Sequence, residues 1–187
     1  VDVDAASSRG VKVVDTNQGS SYPVAEWALA MMLIGLRKAG LHFRRIISEH
    51  AALDPSGEPD YWDRQPGGNE LTGRHVGLIG CGHIGRRLLR YLAPFECEIS
   101  VYDPYIPREF ADVFDFTLTS LERIMADSDV VVCLAPITPS TRGMLGRQEM
   151  GLLKSGSVFV NVSRGAIVQT DALIERLSVG DVTASLD

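Results

Sequence analysis

The stretch "HVGLIGCGHIGRRLLRYLAPFECEISVYDP", His75 to Pro104, restricts the fold more than any other part of the chain. An apolar run, Val76 to Ile79, leads into glycines at 80, 82 and 85. A segment with Ile84, Leu88, Leu89 and Leu92 on one helical face leads out, and a second apolar run follows. From Arg74 onward this alternation repeats. Strands are expected near 75–80, 98–102, 113–116, 129–134, 157–162 and 182–186, and helices near 83–94, 119–126, 146–152 and 170–178. Strands apolar on both faces, such as "VFVN", alternating with amphipathic helices, predict an α/β fold. It is a doubly wound parallel sheet covered on both sides, of the Rossmann type.

Gly80, Gly82 and Gly85 complete G-x-G-x-x-G between a strand and a helix. The first glycine permits the tight turn, the second lets the backbone approach a pyrophosphate, and the third lets helix pack on strand. Eighteen residues beyond Gly85, Asp103 ends the next strand, placed to accept hydrogen bonds from a ribose diol and to repel a 2′-phosphate. Together these features indicate a dinucleotide site and favour NAD over NADP. Arg86, Arg87 and Arg108 nevertheless offer charge for a phosphate. His83 either touches the pyrophosphate region or is a solvated loop histidine. In "VFVNVSRGAIV", Arg164 follows the carboxyl end of a buried strand, where open α/β sheets place ligands; a solvated loop arginine is the other reading.

Composition narrows the partners. Of 187 residues 45% are hydrophobic and 22% charged, as a soluble globular core requires, and a net charge of −6 without a basic run speaks against nucleic acid. Cysteines 81, 97 and 133 have neither a metal-ligand spacing nor an even number. They are expected as core residues in a reducing cytoplasm, and no metal is expected. The apolar run Val24–Leu36 is too short to cross a bilayer and is followed by Arg37 and Lys38, so no membrane span is expected.

The remainder of the chain is read more coarsely. Val11 to Val14 suggest a short strand, and a helix is expected from about Val24 to Ile47. Its first half is apolar all round, as in a helix that crosses between domains, forms a homodimer interface, or both. Residues 54–69, rich in proline and glycine, suggest an extended loop. The polar start without methionine and the strand-like end at "TASLD" suggest a fragment.

Five blocks resemble the D-isomer-specific 2-hydroxyacid dehydrogenases, a family that includes phosphoglycerate, hydroxypyruvate and D-lactate dehydrogenases and corepressor relatives. They are "NQGSSYPVAEWALAMMLIGLRK"; "GNELTGRHVGLIGCGHIG" with Trp62 ahead of it; "LAPITPSTRGML"; "LLKSGSVFVNVSRGAIV"; and "ASLD". The resemblance implies residues 1–20 as a remnant of a substrate domain, 21–73 as crossing helix and connecting loop, and 74–187 as an NAD-binding domain truncated at its end. It implies hydride transfer between NAD(H) and C2 of a D-2-hydroxy or 2-oxo acid. Arg164 would bind the substrate carboxylate and polarise the adjacent carbonyl. Gly80, Gly82, His83, Ile84 and Gly85 would hold the cofactor phosphates, and Asp103 with Pro104 its ribose. Ala135, Pro136, Thr141, Val162 and Ser163 would line it, and Asp187 would face the nicotinamide carboxamide. An NAD(H)-sensing interaction protein, like the corepressor relatives, is the alternative on the same site.

Two positions depart from the family pattern: Leu134 stands where many members have histidine, and Gln169 where an acid is usual, with an expected effect on helix capping. The family's catalytic glutamate and histidine lie beyond the position of Asp187. His42, His50, His75 and His83 do not replace that histidine by motif, so the chain alone is expected to be nearly inactive.

Overall fold

The computed structural model describes residues 2–14, 19–49 and 69–187. Helices α1 (Val3–Ser8), α2 (Ser21–Leu36) and α3 (Ala39–Glu49) come first. Then β1 (His75–Ile79), α4 (His83–Leu92), β2 (Glu98–Tyr102), α5 (Glu109–Phe114), β3 (Thr117–Leu118), α6 (Leu121–Asp127) and β4 (Val130–Cys133) follow. The chain ends with α7 (Arg147–Leu152), β5 (Val158–Asn161), α8 (Thr170–Ser178) and β6 (Thr183–Leu186). The six strands form one sheet in the order β3-β2-β1-β4-β5-β6, and every pairing is parallel. The order reverses between β1 and β4, which opens a crevice at their carboxyl ends.

Alternating side chains divide the core into two layers. Val76, Leu78, Val130, Val132, Val158 and Val160 face α2 and α4, whereas Ile79, Val131, Cys133 and Phe159 face α6, α7 and α8. Period-two alternation sends successive residues to opposite faces, and with both faces covered the central strand β4 is apolar at every position, Val130 to Cys133. The three cysteines are unpaired; Cys81 and Cys133 are buried, in keeping with core packing. Burial pushes the Cys81 thiol up to about 12, helped by the nearby Asp103 carboxylate, and the Cys133 thiol up to about 11.

The amino-terminal segment differs from the sequence expectation. Val11 to Val14 form no strand and are exposed, and the regular element there is α1, whose Asp2 caps the Ala5 N–H at 2.9 Å. The helix expected over 24–47 is two helices. They are separated at Arg37 and Lys38, where Lys38 takes a left-handed φ of 48° that no continuous helix accommodates. One face of α2 (Ala25, Ala28, Met32) is buried against α4, β5 and β6, while Trp27 and Ile34 are exposed. A strand over 113–116 is not formed either. Phe110 and Phe114, one turn apart in α5, stack with their centroids 6.0 Å apart and pack against the core, so helical spacing wins. Asp115 then ends the helix in a left-handed conformation, and β3 starts at Thr117. Residues 54–68, including Trp62, lie outside the described residues.

Two outcomes follow from this packing. A Cβ on Gly77 of β1 would meet Ser128 Oγ and lie 2.8 Å from Ile124 Cγ2, so Gly77→Ala is expected to cost about 1–3 kcal/mol. Thermal unfolding would shift down by about 2–4 °C for each kcal/mol. Gly151→Ala, whose Cβ meets nothing within 4 Å on α7, should hold or raise the midpoint. For the thiols, the unfolded chain ionises near the ordinary value of 9 while folded Cys81 and Cys133 keep their protons. Their contribution to stability is therefore intact below about pH 9 and is lost as pH rises toward the folded values. Iodoacetamide at pH 8 should leave Cys81 and Cys133 unlabelled in the native chain and label both in denaturant; rapid native labelling of Cys81 would contradict its burial.

Candidate functional site

Every loop that follows a carboxyl end of β1, β2, β4 or β5 contributes to one rim. After β1, Gly80 turns with φ of +91° and its N–H donates to the Tyr102 carbonyl at 2.8 Å. A Cβ there would sit 3.0 Å from the Ala135 backbone, so only glycine lets the β1 and β4 loops approach this closely without strain. Gly85 does the same for helix on loop: a Cβ would lie 3.1 Å from the Gly80 carbonyl oxygen. Gly82 differs, because its missing Cβ would point into open space. It is the N-cap of α4 and supplies no side-chain cap, and no acidic residue occupies the first turn. The helix therefore presents free N–H groups and a partial positive charge beside an open surface. His83 is exposed there, and Ile84 is partly buried against the core.

Asp103, at the end of β2, ties the rim together. Its Oδ2 accepts the Cys81 N–H at 2.8 Å and its Oδ1 accepts the Tyr105 N–H at 2.9 Å. A carboxylate has about four acceptor positions, so about two remain for hydroxyl donors. Pro104 beside it is exposed. An uncapped helix terminus, a glycine facing open space and a carboxylate with spare acceptor capacity fit the pyrophosphate and ribose of a dinucleotide.

After β4, the Leu134 N–H donates to the Ile79 carbonyl at 2.8 Å, and the Leu134 side chain packs against the core. The departure from histidine therefore leaves no polar gap at that position. Ala135 is buried and Pro136 exposed. The hydroxyl of Thr141 donates to the Pro136 carbonyl at 2.6 Å, and its Oγ1 accepts the Thr138 N–H at 2.8 Å, so this side chain braces its own loop.

After β5, Asn161 is buried and its Oδ1 accepts the Ser163 N–H at 3.0 Å, while Ser163 Oγ donates to the Ala135 carbonyl. These contacts lock the β4 and β5 loops together; Val162, between Asn161 and Ser163 in sequence, is buried. Arg164 follows, exposed in extended backbone, with no ion-pair partner for its guanidinium among the described residues. Asp187, after β6, is exposed and its N–H donates to the Asn161 carbonyl at 3.0 Å. Sequence reasoning did not find Asn161 or the Ser163–Ala135 bond. Both are contacts across sequence turns, and only the polar Asn-x-Ser spacing after an apolar strand pointed toward them. Gln169 does not act as a side-chain cap: it reaches across to the Gly143 carbonyl at 2.9 Å and fills the space beside Gly146. Among the described residues no cluster of His, Cys, Asp and Glu could hold a metal ion, and no helix is long and apolar enough to cross a membrane.

Comparison with known proteins agrees with this geometry. Residues 30–187 match the model of the D-isomer specific 2-hydroxyacid dehydrogenase, NAD binding domain. The chain is 34% identical over 187 residues to a D-3-phosphoglycerate dehydrogenase from Methanocaldococcus jannaschii, covering 99% of this chain and 34% of that protein. It is 31% identical over 186 residues to a hydroxypyruvate reductase from Thermotoga maritima, covering 99% of this chain and 56% of that one. The chain thus spans about a third to a half of the curated relatives it matches. Among solved structures, the NAD-complexed D-isomer specific 2-hydroxyacid dehydrogenase of Lactobacillus delbrueckii ssp. bulgaricus superposes with a TM-score of 0.76 at 30% identity, over 90% of this chain and 48% of that one. The chain belongs to the D-isomer specific 2-hydroxyacid dehydrogenase family, and the rim described above lies in the family's NAD-binding domain.

Proposed function

We propose that this chain is the cofactor-binding part of an enzyme that transfers a hydride between NAD(H) and C2 of a D-2-hydroxy or 2-oxo acid. The observation that supports this most directly is the pairing, on one sheet edge, of an open helix terminus beside Asp103 with the exposed Arg164, which has no ion-pair partner among the described residues. When bound, the nicotinamide supplies the hydride acceptor or donor. The chain's own residues hold and orient what reacts. The α4 N–H groups and Gly82 hold the pyrophosphate, and Asp103 accepts from the ribose hydroxyls. Arg164, always charged, grips the substrate carboxylate through two parallel N–H bonds and draws electron density from the C2 oxygen beside it. Ser163, by bonding to Ala135, fixes the loop from which Arg164 projects. In this reading residues 1–20 come from a substrate domain, 21–73 connect, and 74–187 bind the cofactor. Three unpaired thiols suit a reducing compartment such as the cytoplasm.

A homodimer is part of the proposal. Phe43, Ile46 and Ile47 of α3 expose apolar surface, and Trp27 and Ile34 of α2 add to it, an arrangement that a second copy would cover. Sedimentation at micromolar concentration should show a dimer that Phe43→Asp dissociates; a monomer throughout would remove this part.

The central test is a fluorescence titration of the chain with NADH and NADPH. NADH is expected to bind at least about tenfold more tightly, because the Asp103 carboxylate repels a 2′-phosphate. Asp103→Asn, which keeps an acceptor for the Cys81 N–H, should narrow the gap. Arg164→Ala should leave NADH affinity intact and abolish the response of the NADH complex to hydroxypyruvate. Equal affinity for the two cofactors, or binding of neither, would overturn the assignment of the rim.

A further inference from the structure

Across the outer side of α4 runs a pocket of about 450 Å³ that shares only His83 with the dinucleotide reading. Its walls come from the start of α2 (Ser21, Tyr22), from α4 (His83, Arg86, Arg87, Arg90) and from α5 (Phe110, Phe114). Three arginines and a histidine line it and, among the described residues, no carboxylate does, on a chain whose net charge is −6. None of the three guanidinium groups has an ion-pair partner among the described residues. Like charges this close repel, so an unneutralised cluster disfavours the folded state unless an anion or solvent screens it.

The arginines are also held in place. The Arg87 guanidinium lies 3.9 Å from the Tyr22 ring centroid, and that of Arg86 lies 5.2 Å from the Phe110 centroid, with Phe114 stacked behind. Arg86 Nε further donates to the Gly82 carbonyl at 3.2 Å. Both side chains are half-buried, whereas Arg90 is exposed at the other end of the same helix face. Stacking on aromatic faces limits the rotamers that must be frozen when a ligand binds, and the remaining N–H donors match phosphate oxygens in pairs. The volume lies within the range of small-molecule pockets, and the walls combine aromatic surface with a few convergent polar groups, as such pockets do.

We propose that this pocket is a second anion site, separate from the dinucleotide rim, which binds a small phosphorylated ligand through Arg86, Arg87 and Arg90. The ligand carries at least two phosphoryl charges, to balance the three guanidinium charges. His83 stands at the boundary between this pocket and the α4 terminus, so the two sites adjoin on one helix.

Calorimetry with inorganic pyrophosphate tests the proposal, using the chain alone, the chain saturated with NADH, and the variants Arg90→Glu and Arg87→Ala. Neither variant touches the dinucleotide rim, and the exposed Arg90 can be reversed without disturbing the core. The expected result is pyrophosphate binding that persists with NADH present, weakens about tenfold or more in both variants, and leaves NADH affinity within about twofold. Pyrophosphate displaced by NADH, or unaffected by Arg90→Glu, would place it at the α4 terminus and overturn the proposal. No binding at millimolar pyrophosphate would overturn it as well, and so would a dimer that Arg90→Glu dissociates without any pyrophosphate binding, which would make the pocket an interface for an acidic surface. Arginine-dependent pyrophosphate binding in a chain that binds no NADH would uphold this site while refuting the dinucleotide reading.

Discussion

An all-parallel sheet can leave neither face to water, and most of this structure follows from that one constraint. Parallel neighbours cannot be joined by a short turn, so each connection must cross the sheet, and the crossing segments become the cover. Here α4 and α5 cross one face and α6, α7 and α8 the other, with α2 laid over β5 and β6 to complete the first layer. Because all strands point the same way, every loop after a strand emerges on one edge. Loops built from different parts of the sequence are brought together without any of them having to seek the others.

That edge would be a set of independent loops if only the sheet held it. Four side-chain-to-backbone contacts and one missing Cβ make it a unit. Asp103 binds the β2 end to the β1 loop, Gly80 lets the β1 loop touch Ala135, and Ser163 ties Ala135 to the β5 loop. Asn161 turns the β5 loop, and Thr141 folds the β4 loop back on itself. Each bond is modest in net free energy, about 1 kcal/mol for a neutral pair. Their value is geometric, since they hold a helix terminus, a carboxylate and an arginine in fixed relation along one rim.

Much of this was legible in the residues. Strands with apolar residues on both faces, glycines at 80, 82 and 85, and a terminal Asp103 specify both the sheet and its glycine-rich loop, because each rule acts over a few neighbouring residues. What was not legible depended on distant partners. The Val11–Val14 run is apolar enough for a strand but finds no edge to pair with. The apolar pattern of Val24–Ile47 does not disclose the break at Lys38, which is a backbone conformation with no composition signal. In α5 two periodicities competed, and the packing of Phe110 and Phe114 against the core decided between them. The position of Gln169 before a helix suggests a capping effect, yet its side chain answers to Gly143 across the loop. The arginines of α4 were visible as charges near the glycine motif; that they gather around a pocket with Tyr22 and the α5 aromatics is a property of three elements meeting.

Asp103 bears on how such a chain could change over evolutionary time. The residue proposed to meet the ribose is also the acceptor for a loop N–H on Cys81, one of the most buried residues of the motif. A lineage moving toward a phosphorylated cofactor must give up the negative charge, and the small neutral residues that do so most directly would strand that N–H without a partner. Asparagine or serine keeps an oxygen within reach; alanine and glycine do not. The path to a new cofactor preference is therefore narrow, passing through the few side chains that lose the charge and retain the acceptor.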